Sequence, residues 1–203
     1  MKISSVHPTT DRRVTRLHRE MLNAHRSGLV FMTGLSGAGK STLAALAEQR
    51  LHELGVRSYV LDGDEMRRGL GSDLGFSDAD RIEHLRRTTE VARLMVDAGL
   101  LVITALIAPF SQERAAARAR FAPGEFMEVF VDAPLDVCER RDPKGLYVQA
   151  RSGRIKGFTG IDSRYEPPAC AELRIDSAIQ PAEESAAALL TAMTSFGLIG
   201  APR

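Results

Sequence analysis

Tryptophan is absent from the 203 residues, aromatic residues of all kinds make up 5%, and the only cysteines are Cys138 and Cys170. Two thiols at that spacing exclude a disulfide framework and a cysteine-based metal site, and Cys138, in an apolar helix-like stretch, reads as a small core residue. No apolar run approaches the roughly 20 residues that a membrane helix needs, and Met1 to Arg13 carry no apolar segment behind their charges. A soluble, cytoplasmic chain with no membrane partner is therefore expected. Neither sign of charge dominates: Lys and Arg number 27 against 26 Asp and Glu. Such a balance offers nothing to a polyanion, so nucleic acid is not an expected partner.

What the chain has is a hydrophobic content of 44%, enough for one substantial core. Five short runs rich in apolar and β-branched residues recur, at 29–33, 56–61, 100–107, 126–131 and 172–176. Helical patterns separate them at 41–54, 78–98, 112–121 and 134–141, with a last one at 181–196. Gly55, Gly99 and Gly197 stand where helices end, and Ser77 with Asp80 three residues on stands where one begins. Strands alternating with helices, several of the strands almost wholly apolar, predict a parallel sheet covered on both faces. Ligands of such sheets bind beyond the carboxyl ends of the strands. The search for function therefore centres on the residues after Thr33, Leu61, Ile107 and Val131. Residues 1–27, polar and basic with a helical stretch from Arg12 to His25, read as an N-terminal arm to a domain spanning 28–203. Within it, 141–168 holds few apolar residues and many Arg, Lys, Gly and Pro, a long irregular segment that is either a functional lid or disorder.

Gly34-Leu35-Ser36-Gly37-Ala38-Gly39-Lys40-Ser41 lies between the first strand and the first long helix. That order of strand, G-x-x-x-x-G-K-S and helix is a phosphate-binding loop. Its glycines let backbone N–H groups turn toward an anion at a helix N-terminus. Lys40 then reaches the β- and γ-phosphates, and the Ser41 hydroxyl serves Mg²⁺ held with ATP. By itself the loop leaves open a kinase, a GTPase switch or an ATP-driven machine. No Asn-Lys-x-Asp element is present to read guanine.

Leu61-Asp62-Gly63-Asp64, with Arg67 and Arg68 behind it, places two carboxylates at the end of the second strand. They suit a Mg²⁺ shell or a base for an attacking hydroxyl, although Asp-Gly is also ordinary turn chemistry. Asp132, after the fourth strand, is a lower-ranked rival. Phe76 precedes a helix start and is either a hydrophobic staple or a plate for a purine. Arg81 and His84 share one face of the following helix. Arg140, Arg141 and Lys144 open the basic lid and are candidates for charge stabilisation, with Arg140 assigned to ATP.

Gly34 to Thr42, Leu61 to Asp64, Leu74-Gly75-Phe76-Ser77, Asp80-Arg81, Asp142-Pro143-Lys144-Gly145-Leu146-Tyr147 and Phe158-Thr159-Gly160-Ile161-Asp162-Ser163 together resemble the adenylylsulfate kinase family, over about residues 25–177 and in the family's order. The resemblance implies a three-layer α/β phosphate-loop NTPase fold with a five-stranded parallel sheet and a basic lid. It implies transfer of a phosphoryl group from Mg-ATP to the 3′-hydroxyl of adenosine 5′-phosphosulfate. It also implies a cytoplasmic homodimer acting after ATP sulfurylase in sulfate activation. On this likeness, Gly34 to Thr42 bind ATP phosphates. Asp64 is base and metal ligand beside Ser41, and Lys40 and Asp62 support catalysis. The acceptor falls to Asp64, Arg67, Phe76, Arg81, His84, Ile107, Lys144, Leu146 and Phe158.

The chain departs from the family pattern where Asn is usual at His84, Ser at Ala108, Arg at Ser111 and a basic residue at Gln149. Without a hydroxyl, Ala108 excludes a phosphoenzyme there, so direct transfer is expected. The same departures keep two alternatives open: another nucleotide as acceptor, or a nucleotide-binding module without catalysis.

Overall fold

The computed structural model describes residues 14–200. The expectations placed on residues 1–13, including the start of the arm and of its helix at Arg12, lie outside the described residues. Five strands form one parallel sheet in the order β2-β3-β1-β4-β5: β1 (Gly28–Thr33), β2 (Ser58–Asp62), β3 (Leu101–Ala105), β4 (Phe126–Asp132) and β5 (Leu173–Asp176). The central β1 is buried at every position, which is why its run Leu29-Val30-Phe31-Met32 is continuously apolar instead of alternating.

Successive side chains leave a strand on opposite faces, and the core divides accordingly. Val30 and Met32 pack with Leu43, Ala44, Ala47 and Leu51 of α2 (Lys40–Glu53) and with Leu189 and Met193 of α8 (Ala182–Phe196). Leu29 and Phe31 pack on the other face with Leu85, Ala92 and Val96 of α4 (Asp78–Asp97) and with Ala117 of α5 (Ser111–Arg118). The three-layer architecture and the five strands are those expected.

Two helices were not expected, α3 (Gly63–Arg68) and α7 (Leu146–Arg151), the latter inside the segment read as a lid without structure of its own. Each has six residues, too few for a periodic pattern, and each is started by an aspartate. Asp62 Oδ1 accepts from the Asp64 N–H, while the Asp142 carboxylate accepts from the N–H groups of Tyr147 and Val148. Strand three ends at Ala105, two residues early, because the chain then swings over the sheet edge and Ala108 turns with φ +44°.

The described part of the arm is docked. From α1 (Arg16–Asn23), Arg16 pairs with Glu125 at 2.5 Å, Arg19 donates to the Asp97 carbonyl at 3.0 Å and Asn23 to the Gly99 carbonyl at 2.8 Å. Between β4 and α7 lies α6 (Leu135–Arg141), on which Cys138 is fully buried.

Candidate active site

The loop between Thr33 and Lys40 owes its shape to glycines that nothing else can replace. Gly34 has φ +155°, and a Cβ there would stand 2.3 Å from the Val131 carbonyl oxygen; at Gly37, φ is +77° and the Cys138 carbonyl stands 3.0 Å from such a Cβ. The loop is thus clamped against β4 and α6, and α2 starts with Gly39 as N-cap and no side-chain cap, leaving first-turn N–H groups to face an anion.

Lys40 is buried, and its ammonium donates to the carbonyls of Gly34 (2.9 Å) and Leu35 (2.7 Å). Burial pushes its pKa down to about 8, with Lys144 lowering it further against the opposing pull of Asp62 and Asp64. Gly34 and Leu35 stand behind the loop and reach the site through these carbonyls. Ser36, Gly37, Ala38, Gly39, Lys40, Ser41 and Thr42 line a cavity of about 800 Å³ beyond the carboxyl ends of the strands.

Carboxylates close one side of that cavity. Ser41 Oγ donates to Asp62 Oδ2 at 2.6 Å, so the hydroxyl of the loop and the end of β2 meet as one cluster of hard oxygen donors. Asp64, in the first turn of α3, pairs with Lys144 from the connection between α6 and α7. Such oxygens suit Mg²⁺, which favours one or two carboxylates together with substrate phosphates and water. Asp132, the rival carboxylate, accepts instead from Arg174 at 2.5 Å and does not line the cavity.

The far wall is cationic and aromatic. Phe76 is half exposed, with the Arg67 guanidinium 4.8 Å from its ring centre and that of Arg81 5.8 Å away. Ser77 and Asp80 form a capping box that starts α4, leaving the Phe76 ring facing the cavity. Arg81 is held by the carbonyls of Phe76 (3.1 Å) and Gly157 (3.2 Å), which brings the second half of the lid onto α4. Phe158 is buried, and Asp162 fixes its approach by accepting from the N–H groups of Gly157 and Phe158. Ile107, Lys144 and Leu146 also line this cavity.

His84 lies in the same wall, buried, and among the described residues its Nε2 has no hydrogen-bond partner. Burial drives its pKa down to about 4, helped by the positive charge of Arg67, Arg81 and Arg87 against the opposing pull of Asp64. A neutral imidazole therefore lines the cavity, its Nε2 buried and unpaired.

A further candidate residue stands outside the cavity. Arg140 points away from the cavity, exposed, and pairs along its own helix with Asp136 at 2.6 Å. Its neighbour Arg141 lines the cavity, donating to the carbonyls of Gly37 (3.4 Å) and Ser177 (2.6 Å). Adjacent helix positions differ by about 100° in direction, and residue type alone does not say which faces inward. Arg141 was among the candidates for charge stabilisation; unforeseen were Tyr147, whose hydroxyl donates to the Ser36 carbonyl at 2.9 Å, and the segment 177–182, which carries the cavity beyond Arg141. The D-P-K-G-L-Y string held the signal for Tyr147; nothing local marked 177–182.

A parallel sheet of this order, a phosphate loop at the head of α2 and a facing cationic wall define a phosphate-loop kinase. A family model for adenylylsulphate kinase matches residues 26–176. The adenylyl-sulfate kinase of Citrobacter koseri is 58% identical over 163 residues, 80% of this chain and 81% of its own. That of Burkholderia ambifaria is 57% identical over 174 residues, 86% of this chain and 96% of its own. Among solved structures, the Mycobacterium tuberculosis APS kinase in complex with AMPPNP and APS matches with a TM-score of 0.80 at 49% identity, covering 83% of this chain and 98% of that one. The chain belongs to the adenylylsulphate kinase family.

Proposed function

We propose that this chain transfers the γ-phosphoryl group of ATP to the 3′-hydroxyl of adenosine 5′-phosphosulfate, giving 3′-phosphoadenosine 5′-phosphosulfate and ADP. The carrying observation is a single cavity with a phosphate loop on one wall, Arg67, Phe76, Arg81 and Phe158 on the other, and Asp64 between them. The first wall takes the donor. The second offers an aromatic plate and two guanidinium groups, suited to a nucleotide bearing an anionic tail.

In this reading the 3′-oxygen attacks the γ-phosphorus, the bond to the β,γ-bridging oxygen breaks, and the hydroxyl proton passes to the Asp64 carboxylate. Lys40 exchanges its two loop carbonyls for phosphate oxygens, and Arg141 meets the nucleotide from α6. Ser41, Asp62 and Asp64 are the residues that would hold Mg²⁺, which neutralises phosphate charge when bound. Ala108 offers no hydroxyl for a covalent intermediate, so the transfer is direct. Positioning and charge neutralisation suffice for such a step.

The protein works as a homodimer in the cytoplasm, downstream of ATP sulfurylase. An APS kinase from Thiobacillus denitrificans, 34% identical with a TM-score of 0.66 over 92% of this chain and 32% of that one, is hexameric, which supports an oligomer. Sedimentation of the purified chain tests the dimer. Among the described residues no helix is long and apolar enough to cross a membrane.

Coupled ADP release from Mg-ATP tests the activity. Turnover that does not depend on adenylylsulfate would overturn it. The imidazole of His84 and the methyl of Ala108 on the acceptor wall favour one second reading, a related nucleotide as acceptor, and a panel of nucleotides carrying a free hydroxyl decides between them.

A further inference from the structure

Ala108, with φ +44°, is with Ala24 one of two non-glycine residues in the left-handed region of φ among those described, and it lines the cavity beside Ile107. A left-handed alanine costs about 1 kcal/mol or more and persists only where its surroundings enforce it. Its carbonyl accepts from Arg114 Nη1 at 2.9 Å. The same guanidinium uses its other nitrogens elsewhere: Nε donates to Glu128 Oε1 at 2.9 Å and Nη2 to the Glu166 carbonyl at 2.7 Å. Arg114 is buried under α5, and Glu128 is buried on β4. One planar fork therefore joins the sheet, the turn at Ala108 and the end of the lid segment.

The lid end is laced to that turn a second time. The Glu166 N–H donates to the Pro109 carbonyl at 2.9 Å, and Glu166 Oε2 accepts from the N–H (2.8 Å) and hydroxyl (2.6 Å) of Ser111. On the inner side, Thr33 Oγ1 lies 2.6 Å from the Ile107 carbonyl and 2.9 Å from the Tyr165 hydroxyl. The acceptor wall thus rests on a strained turn whose carbonyls are held from both sides.

We infer that Arg114, paired with Glu128, is a positioning residue for the acceptor half of the site: it holds Ala108 in its left-handed turn and binds that turn to the lid. The inference rests on the assignment of this wall to adenylylsulfate. Burying an ion pair is costly and is often no gain in stability over apolar packing, whereas its three-way hydrogen bonding fixes geometry that an apolar side chain would not. The phosphate loop meets this turn through one long hydrogen bond, from the Gly34 N–H to the Ile107 carbonyl at 3.4 Å, and is otherwise packed closely against Val131 and Cys138.

The test is calorimetric binding of adenylylsulfate and of AMPPNP to the full chain and to Arg114→Lys, which keeps the charge opposite Glu128 but lacks the fork. The expected result is adenylylsulfate binding weakened about tenfold or more, as for lost orientation at a distance, with AMPPNP binding within about twofold of the parent. Ala108→Gly added to Arg114→Lys recovers most of that loss, because glycine adopts the turn without being held there. Equal weakening for both ligands, unchanged binding of both, or no recovery with glycine overturns the inference. Should Arg114→Lys fail to fold, Arg114→Met with Glu128→Gln leaves no unpaired charge and is judged by the same ratio. Parent enzyme that binds adenylylsulfate without turning it over defeats the proposed reaction and leaves this inference to the binding ratios; parent enzyme that does not bind it defeats both.

Discussion

Lys144 reaches across the mouth of the cavity to the Asp64 carboxylate, 80 residues earlier in the chain. The contact joins the lid to the end of β2 and places a cation beside the group assigned as base. In the proposed reaction it is broken and remade in each cycle, because the Asp64 carboxylate takes the acceptor's proton. Asp64→Asn keeps the shape and removes the proton acceptor. Initial rates are expected to show kcat reduced by about 10² or more with KM for adenylylsulfate little changed, as for a role confined to the transition state.

Burial lowers the Lys40 pKa to about 8 in the protein without nucleotide. Its ammonium is charged below that pH and neutral above it. Hence kcat/KM for ATP, which reports the free enzyme, is expected to fall as pH rises through about 8. Lys40→Met should lower kcat/KM by at least about 10² across the range and abolish that alkaline limb. A limb that survives in the variant would belong to another group.

His84 is held neutral, its pKa near 4 against about 6.5 in an unfolded chain. Between those values the unfolded state binds the extra proton, so this group's contribution to stability is intact above about pH 6.5 and is lost as pH falls toward 4. The loss between pH 7 and pH 5 is on the order of 2 kcal/mol. Urea unfolding at both pH values should show His84→Asn losing less stability on acidification than the parent.

Arg141 lines the cavity and Arg140 faces water. Arg141→Ala is expected to raise KM for ATP about tenfold, the range for a charge-assisted hydrogen bond. Arg140→Ala removes only a solvent-screened pair along one helix turn and should leave KM for ATP unchanged. The reverse ranking would restore the assignment read from sequence.

A single pair of residues shows where the reach of sequence ended. Ser77 and Asp80 announce the start of α4 by local chemistry alone, and the structure builds the expected capping box. Strands, long helices and the phosphate loop were legible for the same reason. Hydrophobic period, cap residues and turn glycines act within a few positions of one another, so the chain carries them wherever it folds. The two short helices escaped because six residues hold no period, and their starts depend on single aspartates.

What the tertiary structure decided is which chemistry meets. That Arg141 faces inward and Arg140 outward follows from how α6 rolls onto the sheet. That Lys144 finds Asp64, and Arg114 finds Ala108, Glu128 and Glu166, follows from packing elements far apart in the chain. The order of residues determined the loop, the strands and the motifs that mark the family. Only the packed sheet, by burying some side chains and leaving others beside its carboxyl edge, turned them into one site with two walls.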